Sequence, residues 1–294
     1  MSAGNARPGR GCTSDSIIQA SVDFGAAVAG IAPVERFAGS DATGSEADSY
    51  LPTGYSPVEL LHGARSVVVV AVRVLDGVLA SNLEPIETTY AFGNFGYVHL
   101  NRRLNTITHD LASRLELLGW PSLPLGACGA TRLDRAAYDE GRTVGPLHGV
   151  FSLKRAAVLA GVGRRAMSGL VATARYGTRV RLGAVITTAP LSGSPMLGGS
   201  PCPPDCRLCA SSCPMGAIGS DGVVNHVKCY SDRGRRGRTV AESLDEMSKA
   251  NPARGAAEGY LPGEFAAIDG FGNRVCRVPC MAVCPLWRKD HQTT

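Results

Sequence analysis

Between positions 202 and 213 the chain reads Cys-Pro-Pro-Asp-Cys-Arg-Leu-Cys-Ala-Ser-Ser-Cys, with Pro214 next. Four thiols within one loop-like stretch that ends in Cys-Pro form an iron–sulfur signature. A second run, Cys276-Arg-Val-Pro-Cys280-Met-Ala-Val-Cys284-Pro285, repeats the ending, and Cys229 stands alone between the two. Each iron of a four-iron cube needs a thiolate, and a tight loop supplies three of the four. Together these eight cysteines suffice for two [4Fe–4S] clusters.

In two-cluster ferredoxins the cysteine before proline ligates the other cluster. By that rule one cluster takes Cys202, Cys206, Cys209 and Cys284, and the other takes Cys213, Cys229, Cys276 and Cys280. Zinc is the alternative, because Cys-x-x-Cys pairs also build tetrahedral sites, but the two Cys-x-x-x-Cys-Pro endings favour clusters. A disulfide scaffold fits poorly. Ten cysteines in 294 residues are sparse for one, and eight of them crowd the last third of the chain.

The elements that must position these thiols are legible in part. Ser14 or Asp15 caps a helix through Ile17, Ile18, Val22 and Phe24, which Gly30-Ile-Ala-Pro33 is expected to end. Gly39 to Ser49 has loop composition. Ser56-Pro57-Val-Glu-Leu-Leu61 is a short helix, and Ser66 to Val74 is a β-branched run of the kind buried on both faces of a sheet. From Arg102, the stripe Leu104, Ile107, Leu111, Leu115 and Leu118 predicts a long amphipathic helix ended by Gly119 and Pro121. A helix over Ser152–Ala160 and a strand over Val180–Thr187 follow. Gly161 and Gly163 come after a helix rather than a strand, so they do not make a dinucleotide-binding turn. Ala189 to Pro201, rich in Ser, Gly and Pro, marks a domain boundary.

Composition narrows the classes. A 44% hydrophobic content is enough for a core, and a net charge of +5 is too modest for a surface devoted to nucleic acid. The first thirteen residues have no apolar signal core, and the longest apolar run, Val67 to Val72, is too short for a bilayer. Free thiols and clusters of this type fit the cytoplasm, where the chain is expected.

The order of parts resembles the cobalamin-dependent epoxyqueuosine reductases and their relatives, the reductive dehalogenases. The resemblance rests on the doubled cysteine motif with Cys229 between its halves, and on Tyr55-Ser-Pro-Val-Glu-Leu-Leu-His-Gly-Ala-Arg-Ser leading into the valine strand. It extends through Ala160-Gly-Val-Gly163, Tyr176-Gly177 and Gly183-Ala-Val-Ile186. It implies an α+β chain: a nitroreductase-like α/β core over residues 1–195, which holds a corrinoid, then a ferredoxin-like double-cluster module over residues 196–294. Electrons would pass through two [4Fe–4S] clusters to cobalamin, which reduces a small molecule. Gly161, Gly163, Tyr176 and Gly177 are the expected corrinoid contacts.

The chain departs from the pattern in three ways. Both motifs have Cys-x-x-x-Cys where two intervening residues are usual. The family's proposed proton donor, an Asp, is replaced by Leu147, with His148 beside it. The helical repeat domain that helps epoxyqueuosine reductases hold tRNA is not expected here, so tRNA is not an expected partner, nor is a membrane. His148 and Tyr97 are the candidate catalytic residues, with Tyr90 and the Tyr138, Asp139, Glu140 cluster as others. Cys128 reads as a small buried residue and Cys12 as part of a tail. The run Arg233-Gly-Arg-Arg-Gly-Arg238 suits docking of an acidic electron donor such as ferredoxin or flavodoxin. Two rival functions stay open: an electron-transfer protein with the same clusters and no catalysis, and a core that holds flavin in place of corrinoid.

Overall fold

The computed structural model describes residues 12–38, 55–81, 92–126, 131–133, 147–149, 151–225, 228–229, 260–261 and 279–286. Helix α1 (Ser14–Asp23) leads to strand β1 (Val28–Pro33), then α2 (Pro57–Leu60), β2 (Ser66–Arg73) and α3 (Asp76–Ser81). A π-helical turn (Phe92–Val98) runs into α4 (His99–Leu117), followed by β3 (Ser122–Leu125), β4 (Thr131–Leu133) and β5 (Leu147–Gly149). Next come α5 (Leu153–Leu159), β6 (Arg164–Arg165), β7 (Val171–Ala172) and β8 (Val180–Thr187). The last described elements are α6 (Leu208–Ser211), β9 (Tyr260–Leu261) and α7 (Pro279–Ala282).

Strand β2 sets the architecture. Every residue from Ser66 to Val72 is buried, and side chains alternate faces along a strand. Val68, Val70 and Val72 join Ile31 and Val185 on one face, under Ile17 of α1 and Leu104, Ile107, Leu111 and Leu115 of α4. Val67, Val69 and Ala71 join Ala184 and Ile186 on the other, under Ala156, Ala157 and Leu159 of α5. The sheet order is β1-β2-β8-β3, and every pairing in it is antiparallel. A continuous apolar run is the habit of parallel sheets. Here the same double covering is built on antiparallel strands.

Local chemistry corrects two expectations near the start of the chain. The cap of α1 is Thr13, whose hydroxyl accepts from the Ser16 amide while the Ser16 hydroxyl accepts from the Thr13 amide. The helix ends at Phe24 and turns through Gly25, where φ is +102°. Gly30–Pro33, expected to stop it, belongs instead to β1. Gly30 is needed there because a Cβ would stand 2.2 Å from the Ala160 carbonyl oxygen at the end of α5.

The stretch Ala189–Pro201 covers the outer edge of β1. The Ser194 amide donates to the Ile31 carbonyl at 2.8 Å, and the Ile31 amide donates to the Ser194 hydroxyl at 3.0 Å. Arg36 donates to the Leu159 and Ser194 carbonyls at 2.6 and 2.9 Å, and the Ser66 hydroxyl donates to the Ala189 carbonyl at 2.9 Å. An edge strand whose backbone groups are taken in this way offers less template for foreign pairing.

Two glycine substitutions separate these roles. Gly30→Ala should lower stability by about 1–3 kcal/mol through overpacking against a backbone that cannot yield. Gly77→Ala, in α3 with open space around its Cα, should be neutral or raise stability by up to about 1 kcal/mol through helix propensity. Thermal unfolding followed by circular dichroism checks both.

Candidate metal centre

The cysteine segment is seated on the hairpin formed by β6 and β7. Met167, in its turn, donates its backbone amide to Cys202 Sγ at 3.3 Å. Arg164 donates to the Gly198 carbonyl at 3.1 Å and Arg165 to the Gly222 carbonyl at 3.5 Å. A Cβ on Gly169 would meet Val224 at 3.0 Å, and one on Gly222 would meet Met167 at 3.7 Å. Ile218 and Val224 pair across a small reverse turn between Cys213 and Cys229.

Within this segment the thiols gather in groups. Cys202 and Cys209 are half-buried, and burial pushes both thiols above their ordinary pKa. The nearby charges of Cys206 and Cys284 push both further up, and Cys202 does the same to Cys209. The Met167 amide and, more weakly, Arg164 pull Cys202 down. Four thiols, one from beyond residue 280, therefore crowd one place. Burial lowers the pKa of the Lys154 ammonium on α5, while the charges of Cys229 and Cys280 raise it and that of Arg165 lowers it further. Cys213 Sγ accepts from the Ala217 amide at 3.4 Å. Cys276 lies outside the described residues.

Among the described residues, no three His, Cys, Asp or Glu side chains sit close enough together to share one metal ion. A zinc site draws its sulfurs to about 2.3 Å from a single centre. A four-iron cluster gives each thiolate its own iron, so its sulfurs stand further apart. Backbone N–H···S contacts such as those to Cys202 and Cys213 are the kind that tune cluster sulfurs.

The loop that carries Cys280 and Cys284 is tied to the core by Met281 and Ala282, which join its apolar cluster, and by an arginine. Arg179 is buried at the entry to β8 and donates to the Ala282 carbonyl at 3.0 Å. It also pairs with Asp76 Oδ1 at 2.6 Å, and Asp76 pairs in addition with Arg73. Helix α7 packs against α6, which brings the two cysteine runs together.

No protein-family model matches the chain, and no curated protein matches its sequence. Solved structures do match. Against epoxyqueuosine reductase from Streptococcus thermophilus the identity is 18%, with a TM-score of 0.52 over 92% of this chain and 65% of that one. For the Bacillus subtilis enzyme the figures are 20%, 0.52, 94% and 65%. A reductive dehalogenase, described in terms of B12-dependent dehalogenation, gives 17%, 0.50, 96% and 39%. The chain has the fold of these reductases. It spans less than two thirds of the epoxyqueuosine reductases and about two fifths of the dehalogenase.

On this reductase fold the other candidate residues separate. Tyr97 sits in the π-helical turn with the Arg181 guanidinium 3.9 Å from its ring centre, and Arg181 donates to Asn101 at 2.7 Å. Leu147 and His148 lie in β5, with His148 opposite Arg132 of β4, which is itself opposite Tyr260 of β9. Gly161 has φ +67° and its Cβ direction is filled by the Pro195 carbonyl; that of Gly163 is filled by Ala172 and Val171. Backbone packing accounts for both glycines, and neither leaves room for a large ring on that side. Tyr176 and Gly177 belong to the tight turn in which Thr173 and Gly177 bond each other, with Arg73 and Arg175 facing the Tyr176 ring at 5.9 and 5.4 Å. Tyr90, Cys128, the Tyr138 to Glu140 cluster and the Arg233–Arg238 run lie outside the described residues.

Two residues escaped the spacing argument. Cys12, expected in a tail, packs against the core, where burial raises its thiol pKa and Arg114 opposes the rise. A lysine in a helix normally reads as solvated, but burial is the main influence on the Lys154 ammonium and lowers its pKa. Its only sequence signal is its place between Leu153 and the Ala156–Ala160 stretch, which is buried throughout.

The Asp76 pair has a pH signature. Burial alone would raise the carboxyl, but its hydrogen bond to Arg179 and the charges of Arg73 and Arg179 outweigh this and hold its pKa below the usual value. A depressed carboxylate stabilises the fold above its unfolded pKa of about 3.9, and that benefit disappears as pH falls through the lower folded value. Asp76→Asn should therefore melt below the wild type at pH 7. The gap should close as pH drops below about 4, and melting curves of both proteins across that range measure it.

Proposed function

We propose that this chain is an iron–sulfur oxidoreductase with two [4Fe–4S] clusters that supply electrons to a corrinoid for reduction of a small molecule. The observation that carries the reading is the crowding of Cys202, Cys206, Cys209 and Cys284, drawn from both cysteine runs, on a fold shared with epoxyqueuosine reductases and reductive dehalogenases. Those four would hold one cluster. Cys213, Cys229, Cys276 and Cys280 would hold the other, a set supported by the action of the Cys229 and Cys280 charges on the same ammonium, that of Lys154. In this reading residues 1–195 are the nitroreductase-like core and residues 196–294 the ferredoxin-like module.

The protein's part is to hold the clusters at fixed distance, to shield them from water and to donate amides to their sulfurs. The cysteines fit that task. For the corrinoid the fit is poorer at Gly161 and Gly163, where the backbone fills the space, so that half of the proposal rests on the fold. A corrinoid, when bound, supplies low-potential electron transfer to the bond being broken. His148, in the strand that carries Leu147, is the residue proposed to deliver a proton, with Tyr97 as the other candidate. An acidic ferredoxin or flavodoxin is the proposed donor.

The filled space at the two glycines favours a second reading, an electron-transfer protein with the same clusters and no catalysis. Anaerobic reconstitution with iron and sulfide, followed by gel filtration with cobalamin, separates the two. The first reading expects both clusters and retained corrinoid; clusters without corrinoid leave the second, and a bound flavin would declare itself in the absorbance spectrum. Cys284→Ala and Cys229→Ala should each cost about half the iron. Retention of all of it in either variant would refute the ligand sets.

A further inference from the structure

Arg179 occupies a costly place. It is 6% exposed where the chain enters β8, and an ion withdrawn from water is unfavourable unless opposite charge and hydrogen bonds compensate it. Asp76 of α3 supplies the charge: its Oδ1 accepts from Arg179 Nη1 at 2.6 Å, and its other oxygen is held by Arg73 at the end of β2. The second terminal nitrogen, Nη2, donates to the Ala282 carbonyl at 3.0 Å, across 103 positions of sequence. A well-packed apolar side chain could fill the same place without the electrostatic cost. What it could not do is donate. A guanidinium presents its donors in a rigid fork, so the carboxylate that orients one nitrogen also aims the other.

The acceptor is the informative partner. Ala282 is the last residue of α7, and the final carbonyls of a helix have no partner within it. It stands midway between Cys280 and Cys284, two residues from each. Met281 and Ala282 are buried in the core cluster that contains Leu79 of α3, and α7 packs against both α3 and α6, the helix that carries Cys209. Apolar contacts hold α7 against the core but are non-directional. The hydrogen bond to one carbonyl fixes its register. By the ligand sets proposed above, Cys280 belongs to one cluster and Cys284 to the other, so a single fixed carbonyl governs one ligand of each.

We infer that Arg179, oriented by Asp76, is a positioning residue shared by both iron–sulfur centres: its bond to the Ala282 carbonyl sets where Cys280 and Cys284 present their thiolates. The inference rests on the two-cluster reading of the cysteines and is independent of the corrinoid. Its signature differs from that of a ligand. Loss of one ligand touches one centre, whereas loss of the shared tie touches both.

The experiment uses the full chain, reconstituted anaerobically with iron and sulfide, as wild type, Arg179→Met, Asp76→Asn and Gly30→Ala. Iron release to a ferrous chelator is followed together with electron paramagnetic resonance of the dithionite-reduced protein. Release from Arg179→Met should be faster than from the wild type by about tenfold or more, the worth of one hydrogen bond to a charged group, and both cluster signals should change. Asp76→Asn should change both signals by a smaller amount, and it carries the test alone if Arg179→Met does not fold. Gly30→Ala, which overpacks the sheet, controls for general loss of stability and should release iron at the wild-type rate. Wild-type release and signals in Arg179→Met or in Asp76→Asn overturn the inference. So does a change confined to one of the two signals, or release from Gly30→Ala as fast as from Arg179→Met. A wild type that takes up no iron overturns the cluster reading itself, and this inference with it; clusters that load without corrinoid leave the inference standing.

Discussion

A strand without a polar face must be covered twice, and Ser66–Val72 imposes that condition on everything around it. Helices α1 and α4 close one side and α5 closes the other. Once α5 is fixed under the sheet, the chain that leaves it has little freedom. It turns at Gly161 against Pro195 and forms the β6–β7 hairpin, whose turn presents the Met167 amide to Cys202. At the start of β8, in the same sheet, buried Arg179 holds the Ala282 carbonyl and with it the loop of Cys280 and Cys284. Both cysteine runs are therefore referred to one rigid frame, although some seventy residues of sequence separate them.

That frame matters because the described residues of the cysteine region have little core of their own. Its helices α6 and α7 are four residues each, well short of the length at which a helix holds itself together in water. Among its described residues Ala217, Ile218 and Val224 are buried, while Met281 and Ala282 join the core under the sheet. A segment of this kind gains stability from bound metal, since the free energy of binding is also free energy of folding. The hairpin and Arg179 bring the cysteines near one another.

How much of this the sequence disclosed follows from the range over which each signal acts. The valine run, the stripe of α4 and the Val180–Thr187 strand were legible because burial repeats at a fixed period in neighbouring residues. The grouping of Cys202, Cys206 and Cys209 was legible because their spacing within one loop is local. The strand order and its antiparallel sense were not, since a strand covered on both faces has the same composition whichever way its neighbours run. Strand β1 was hidden by its small residues, which are there because the Gly30 backbone must pass close to Ala160, a contact between positions 130 residues apart. Gly161 and Gly163 are likewise met by other parts of the chain. Glycine announces close approach, but the sequence does not say whether a ligand or another stretch of backbone does the approaching.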